Sequence, residues 1–474
     1  MAKPAVRRHA PARDRISQLP IEILDHIMGL LPVQQAAKTA VLSKVWRDVW
    51  FSLTRLCFDH DFFSYFHKKY RRASKYVKKS SCLYVINKVL LQHKGRIRKF
   101  VFLYGNAGKL TVRSRSFDMD QWLLLVMRKG VEDIHILFGY NEYKLPSFIF
   151  SCSTLRTLRL DGLSIQPQNS PCSLRNLSTL CFANVKFVPR HLANYTLDVP
   201  KLENLVFKYC EDMFHFNITA RKLCSLKVDC CPGKEVGKFL PVNLDLTSIC
   251  TLDLDYYTLE YIIGQYTTKE LLLQLPALNV ELLKLSGFCF HDDARTSAFI
   301  CLLNKCPKLC NLEISFTPEW GEDINKCVDA ESKRLKNLRR VLQTHKMLLI
   351  LQLSSFSGLR PQMHFIQEML ACLPALEKWG EDINKCVDAE SKRLKNLRRV
   401  LQTHKMLLIL QLSSFSGLRP QMHFIQEMLA CLPALEKVII SRSYGFDWSK
   451  KHETLEEILH FPRASAKAKL VFPS

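Results

Sequence analysis

An apolar motif with the spacing L-x-x-L-x-L recurs along most of this 474-residue chain and constrains its fold more than any other feature. The last two apolar positions of each copy are two residues apart, so in an extended strand both side chains point to one face. We therefore interpret each copy as a short β-strand with one buried face. The copies begin at Leu53, Ile97, Val131, Leu155, Leu177, Leu202, Leu223, Ile249, Val280, Leu309, Leu348, Leu407 and Leu435.

Most successive copies begin about 20 to 30 residues apart, which is the spacing of leucine-rich repeats. One such strand cannot bury its own apolar face, so neighbouring copies must stack, with helices or loops returning on the far side. The pattern predicts an α/β fold in which a curved parallel sheet forms a solenoid over residues 53–318 and continues beyond. Its outward polar residues are the natural contacts for a protein partner, among them Arg156, Arg159, Lys208, Lys227, Asp229, Asp253 and Asp255.

A different pattern fills residues 14–52, ahead of the first repeat. Pro20 stands where the first turn of a helix tolerates a missing N–H, and apolar residues follow it at helical spacing. Pro32 ends that helix, small residues begin a second, and a third runs through Trp46 and Trp50. Three such short helices cannot bury all their large apolar side chains among themselves. Part of this surface should therefore be covered by another molecule.

The spacing that runs from Leu19-Pro20 through Ile23-Leu24, Ile27 and Leu30-Leu31-Pro32 to Val41-Leu42, Trp46 and Trp50 resembles that of a plant-type F-box. The resemblance implies that the segment docks on the Skp-type adaptor of an SCF ubiquitin ligase with its cullin core, and that the rest of the chain selects an unknown target protein. Gln34 and Gln35 stand where relatives often carry a Thr-Lys pair. An ordinary helical cap on the next domain is the alternative interpretation. The resemblance, and with it the expected docking site, rests on Leu19, Pro20, Ile23, Leu24, Ile27, Leu30, Leu31, Pro32, Val41, Leu42, Ser43, Trp46, Arg47 and Trp50.

The C-terminal part, residues 319–474, carries two further features. Residues 461–472 and the stretch before them resemble the end of the FBD region attached to plant F-box and leucine-rich-repeat proteins. Residues 320–378 also recur unchanged as residues 379–437, either through an in-frame duplication or through incorrect assembly of the sequence. In the first copy Leu376 is followed by Trp379 and Glu381 where apolar residues belong. We predict a loop there, because a buried charge would need a partner.

The net charge of +24 favours an acidic partner but specifies none. Its densest run is expected to lie in an exposed loop at residues 66–80 and is typical of a nuclear-import signal, of a phosphate-binding patch or simply of a solvated surface. No nucleic-acid-binding motif accompanies it, so we do not expect nucleic acid as a partner; a nucleic-acid or inositol-phosphate binder stays an alternative function. The run holds Lys68, Lys69, Arg71, Arg72, Lys75, Lys78 and Lys79 without an acidic residue.

The remaining sequence indicates a protein that binds and does not catalyse. It contains no glycine-rich phosphate loop, zinc-binding His pair, nucleophile elbow or Cys-His nucleophile arrangement. The 18 cysteines show no Cys-x-x-Cys spacing, so we expect reduced thiols and neither a metal nor a cofactor. Residues 1–13 read as a basic, disordered tail, and no stretch approaches a membrane span. We expect an SCF substrate-recognition subunit of the nucleus or cytoplasm, with a repeat scaffold that does not ubiquitinate as the rival.

Overall fold

A computed structural model divides the chain into two compact units, Met1–Ala193 with Leu197–Val199 and Asn194–Thr196 with Pro200–Ser474. The domain bounds expected from the sequence, at residues 13, 52 and 318, stay a prediction. The N-terminal helices share the first unit with the first repeats. The structure describes residues 16–104, 116–139, 143–166, 172–188, 195–212, 216–229, 231, 246–255, 258, 277–288, 293–316, 337–345, 347–354, 369, 372–373, 378–382, 407–415, 419–442 and 451–472.

The first unit begins with three short helices and continues with strands and longer helices. Its main sheet is parallel, with the strand order β1-β2-β3-β5-β8, and a smaller parallel sheet has the order β4-β6-β9. The elements are α1 (Ile21–Gly29), α2 (Val33–Thr39), α3 (Lys44–Phe51), β1 (Arg55–Phe58), α4 (His60–Lys69), α5 (Lys75–Gln92), β2 (Lys99–Tyr104), α6 (Ser116–Arg128), β3 (Asp133–Phe138), β4 (Tyr143–Leu145), a 3₁₀ helix (Ser147–Ser151), β5 (Thr157–Asp161), β6 (Leu163–Ile165), β7 (Cys172–Ser173), β8 (Thr179–Ala183) and β9 (Lys186–Phe187).

The second unit is built around parallel strands in the order β11-β13-β14-β15-β16-β17-β18-β19-β20-β21. Three helices follow β15, β19 and β20, at Asp293–Asn304, Arg419–Cys431 and Lys451–Leu459. The residues of β10 (Tyr195–Asp198) divide between the two units. The other strands are β11 (Asn204–Lys208), β12 (Phe216–Thr219), β13 (Ser225–Asp229), β14 (Thr251–Asp255), β15 (Leu282–Phe288), β16 (Asn311–Phe316), β17 (Ile350–Ser354), β18 (Lys378–Asp382), β19 (Ile409–Phe415), β20 (Lys437–Arg442) and β21 (Lys469–Val471).

Every copy of the apolar motif contributes a strand to a parallel sheet, which confirms the predicted fold class of N-terminal helices followed by leucine-rich-repeat strands. The first residue of each copy is buried, from Leu53 to Leu435. The alternation within a strand is clear in β5, where Leu158 and Leu160 are buried and Arg159 between them is exposed. The two-residue period therefore sorts apolar side chains into the core and polar ones onto the open sheet face.

The prediction of a loop around Trp379 and Glu381 is wrong. Residues Lys378–Asp382 form β18, which pairs in parallel with β17 on one side and β19 on the other. In this register Glu381 lies opposite Leu353 and Leu412. The facing edges of β17 and β19 carry backbone N–H and C=O groups that need partners, and a strand between them supplies these whatever its side-chain pattern.

The expectation of reduced cysteines fails at one pair, since Cys224 and Cys250 form a disulfide. These residues immediately precede β13 and β14, whose register pairs Ser225 with Thr251 and so brings neighbouring repeats together there. Their Cα atoms are 5.3 Å apart, within the usual range for a disulfide. Sequence spacing did not reveal the pair, because repeat stacking sets the contact.

The described helices include none with both the length and the apolar composition needed to cross a membrane. Within the same described ranges, no group of three or more His, Cys, Asp or Glu side chains is placed to hold a metal ion. The basic N-terminal tail, residues 1–13, lies outside the described residues.

Candidate interaction surfaces

Each of the three N-terminal helices begins at a residue that suits a helix start. α1 and α2 follow Pro20 and Pro32, whose fixed φ matches the helix and whose missing N–H costs nothing there. The side chain of Ser43 caps α3 by accepting a hydrogen bond from the backbone N–H of Trp46 at 3.3 Å. Of the residues expected to dock a partner, these three therefore have a structural role in forming the helices.

The three helices share a small core of their own. Leu24 and Met28 lie four residues apart on one face of α1 and are 1% and 0% exposed. They are joined in the core by Val33 and Ala36 from α2 and Val49 from α3. Leu24 was expected in the docking set, but its burial assigns it to this core, because a side chain without exposed surface cannot contact a partner directly.

The opposite side of these helices presents apolar side chains to solvent. Of the fifteen large hydrophobic side chains that are exposed in the described part of the chain, nine lie between Ile16 and Val45. Scattered exposed leucines are ordinary, but such a concentration on one small module makes its surface a candidate interaction site. We define the apolar face as the exposed members of the expected docking set, 37% to 86% exposed: Leu19, Ile23, Leu30, Leu31, Val41 and Leu42.

The other expected docking residues flank the apolar face. Pro20 and Arg47 are exposed. The remaining members are only partly accessible, so a partner could reach one side of each without the module unfolding. These half-buried residues are Ile27, Pro32, Ser43, Trp46 and Trp50.

The module is held to the first repeat through residues outside the apolar face. The carboxylate of Asp25 in α1 accepts hydrogen bonds from the backbone N–H of Thr54 at 2.8 Å and from its hydroxyl at 2.6 Å. The N–H of Lys94 donates to the carbonyl of Phe51 at 2.7 Å. Asp25 could not be predicted from the sequence, since its partner lies 29 residues away and no local motif indicates the contact.

A buried histidine completes this attachment. The Nε2 atom of His93 lies 2.8 Å from the carbonyl oxygen of Leu53, and the Lys129 ammonium donates to the His93 carbonyl at 2.8 Å. Burial is the main cause that lowers the pKa of His93 below its usual value. The neutral ring therefore serves as a structural link, and the apolar face is carried on an anchored module.

The basic run does not form the single exposed loop expected at residues 66–80. Lys68 and Lys69 end α4, where the helix dipole favours cations, and Ser74 caps the start of α5 by accepting a hydrogen bond from Val77 N–H. The run thus spans two helix ends and a turn. Lys68, Lys69, Arg71 and Arg72 are exposed and Lys78 is half-buried, while the side chains of Lys75 and Lys79 lie outside what the structure describes.

Two lysines from different helices converge on one tyrosine beside this run. Lys38 from α2 and Lys69 from α4 place their ammonium nitrogens 5.5 Å and 6.0 Å from the centre of the Tyr65 ring. Lys69 is also 5.7 Å from the ring centre of Tyr70. These distances suit cation–π attraction. The sequence could not show that Lys38 belongs here, because only tertiary packing brings α2 to α4.

A second candidate surface lies on the sheet of the second unit. One residue from each strand from β13 to β19 forms a continuous register, and a cavity of about 450 Å³ lies along it. We call this register the polar row: Lys227, Asp253, Lys284, Glu313, Gln352, Gly380 and Gln411.

Two residues of the polar row, Lys227 and Asp253, were among the expected partner contacts. They form an ion pair with a distance of 2.5 Å between Nζ and Oδ2. Asp255, also expected to face a partner, is instead buried and accepts a hydrogen bond from the N–H of Thr258 at 3.2 Å. Strand alternation placed Asp255 on the correct face but could not show that other residues of the same chain cover it.

Two domain models match the chain. The F-box domain matches residues 16–58, which span the three N-terminal helices and β1. The At1g61320/AtMIF1 LRR domain matches residues 89–244, which cover repeats of both units. The first match coincides with the segment that carries the apolar face.

Several Arabidopsis thaliana proteins are similar to the chain. F-box/FBD/LRR-repeat protein At1g13570 is 24% identical over 97% of this chain and 98% of its own length. F-box/FBD/LRR-repeat protein At5g56420 is 22% identical over 97% of this chain and 99% of its own. F-box/LRR-repeat protein At3g59200 is 31% identical, over 41% of this chain and 36% of its own. The first two similarities cover nearly the whole chain.

Proposed function

We propose that this chain, a plant-type F-box and leucine-rich-repeat protein with an FBD-like C-terminal region, is a substrate-recognition subunit of an SCF-type ubiquitin ligase. The apolar face would dock on a Skp-type adaptor, and through it on the cullin core. The repeats would bind the target protein. The single observation that carries the proposal is the concentration of exposed apolar side chains on the segment matched by the F-box domain.

The anchoring of the module supports a positioning mechanism. Asp25 and His93 link the three helices to the first repeat, so an adaptor bound to the apolar face would also hold the adjoining repeats in place. A target bound to the same chain then meets the ligase at a high effective concentration, and ubiquitin transfer proceeds as if within one molecule. In this mechanism the catalytic groups belong to other subunits, and the chain positions the target close to them.

The proposal places the chain in the nucleus or the cytoplasm. The exposed basic side chains Lys68, Lys69, Arg71 and Arg72 support the nuclear assignment, because such a run is typical of an import signal. They lie at the C-terminal end of α4 and in the turn after it and are not members of the apolar face, so one chain could use both surfaces.

The experiment that tests the function is affinity purification from plant cells in which the proteasome is blocked. The intact chain should copurify with a Skp-type adaptor, a cullin and ubiquitin-modified prey. A full-length chain in which Leu30 and Leu42 are replaced by aspartate should retain the same prey without its ubiquitin and without adaptor. If the intact chain brings down prey but no adaptor, the protein is a binding scaffold and the proposal is wrong.

A further inference from the structure

The polar row has no net charge, in contrast to the strongly basic chain as a whole. Lys227 and Asp253 are paired at 2.5 Å, and Lys284 and Glu313 are paired at 2.6 Å. All four side chains are 18% to 38% exposed, so each pair is partly shielded from water. The two lysines balance the two carboxylates, and the row therefore offers little long-range attraction to a ligand of either sign.

The other polar groups of the cavity are uncharged. Ser286, Ser315 and Ser354 lie in one register across β15, β16 and β17, two residues beyond the polar row. Hydroxyls and the carboxamides of Gln352 and Gln411 can each donate and accept hydrogen bonds. The apolar residues of the lining, Leu285, Ile314 and Leu353, are almost fully buried, so they offer a ligand little apolar surface. A fitting ligand is therefore rich in groups that both donate and accept.

Between the two glutamines the polar row has one position without a side chain, Gly380, which we call the gap. Gln352 pairs with Gly380 and Gly380 with Gln411, so a residue without a side chain separates two carboxamides. Neighbouring strands lie about 4.8 Å apart, which places the two glutamine backbones about 10 Å apart across this gap. The sheet surface is therefore lower at Gly380, and a segment that crosses the strands can approach the backbone of β18 there.

The repeated 59-residue unit creates this gap. Gln352 and Gln411 are the same residue of the two copies, and β18 is formed where the first copy joins the second. In a chain with only one copy, Lys378 would be followed directly by Val438, and neither Gly380 nor Gln411 would exist. The second glutamine and the open position beside it thus depend on the duplication.

We infer that the polar row, the adjoining serines and the gap at Gly380 bind an extended, uncharged segment of the target, rich in Asn, Gln, Ser and Thr. The row crosses seven strands from β13 to β19, about 29 Å, which an extended segment of about nine residues spans at 3.3 Å per residue. The inference rests on the proposed function, because it names the class of target that the repeats select.

Synthetic nine-residue peptides test the inference with the purified full-length chain. Three fluorescent peptide pools are compared by anisotropy: uncharged polar, acidic and basic. We expect the uncharged pool to bind best, with an affinity that changes less than about twofold between 0.1 M and 0.5 M salt, since no net charge is screened. Replacing Gln352 and Gln411 together by leucine should weaken this binding at least tenfold. The matched control is Gln343→Leu, an exposed glutamine of the same unit that does not line the cavity.

A deletion of residues 379–437 tests the role of the duplication. The junction restores an unbroken apolar motif from Leu376 through Val438 and Ile440, and binding of the uncharged pool should fall at least tenfold. Preference for the acidic pool with steep salt dependence would overturn the inference, as would full binding by the double leucine variant. If the deletion variant shows no thermal unfolding transition, it is not folded and its binding is not interpreted. The double leucine variant then tests the inference alone. Adaptor binding is measured on the same samples, so loss of the proposed function is recognised separately.

Discussion

Replacing Leu30 and Leu42 by aspartate is expected to weaken the binding of a Skp-type adaptor to this chain by about 100-fold or more. The two side chains are 68% and 74% exposed in the free chain and would be covered by the adaptor. Covering a leucine contributes about 1.5–3 kcal/mol when burial is complete, and every 1.4 kcal/mol changes the affinity about tenfold. Aspartate also brings an unpaired charge into the contact, which adds to the loss. Titration calorimetry with purified adaptor measures the effect.

The control for this pair is Leu91→Asp on α5, because Leu91 is 76% exposed but lies outside the F-box segment. It should bind the adaptor like the unchanged chain. The double variant should also keep the unfolding temperature of the unchanged chain, since substitutions of exposed side chains rarely change stability by more than about 0.5 kcal/mol. A double variant that binds normally would refute the assignment of the apolar face.

Replacing Gly162 by alanine is expected to destabilise the first unit by about 3 kcal/mol or more. Gly162 joins β5 to β6 with φ at +68°, and a Cβ atom there would lie 1.6 Å from the carbonyl oxygen of Phe138. The left-handed conformation alone costs an alanine about 1–2 kcal/mol, and relieving the overlap requires the backbone of two neighbouring repeats to move apart. Urea unfolding, followed by hydrogen exchange of the amides in β3 and β5, reports the stability of this unit.

Gly139→Ala is the matched control, because it lies next to Phe138 and its added Cβ atom meets nothing within 4 Å. That substitution should leave the urea midpoint unchanged or raise it slightly, since alanine restricts the unfolded chain. Equal midpoints for the two variants would show that the close approach at Gly162 is not what sets the spacing of these repeats.

The sequence predicted the repeats well because each strand is specified by its own alternation of apolar and polar residues. Leu158 and Leu160 enclose an exposed Arg159, and local reading is sufficient for such a strand. The prediction from sequence failed at β18, because the strands on both sides impose the pairing of Glu381. It also missed the disulfide between Cys224 and Cys250, since only the stacking of repeats brings them together.

The candidate docking surface was predicted as a segment but not residue by residue. Helical spacing gathers Leu24 and Leu30 into one apolar helix, and only the packed structure separates the buried core residue from the exposed one. The contributions of Asp25 and Lys38 could not be predicted at all, because Thr54 and Tyr65 are their partners through tertiary packing. Sequence patterns locate such a surface, and packing decides which side chains remain available to a partner.

Hydrogen exchange of the full-length chain with and without purified Skp-type adaptor tests the central claim most directly. We predict slowed exchange of backbone amides across residues 16–51 when the adaptor is added, centred on the C-terminal end of α1, where Leu30 lies, and on the residues just before α3, which include Leu42. The amides of β13 to β19 should exchange at unchanged rates. Unchanged exchange across residues 16–51 at saturating adaptor, or protection confined to the repeats, would contradict the account.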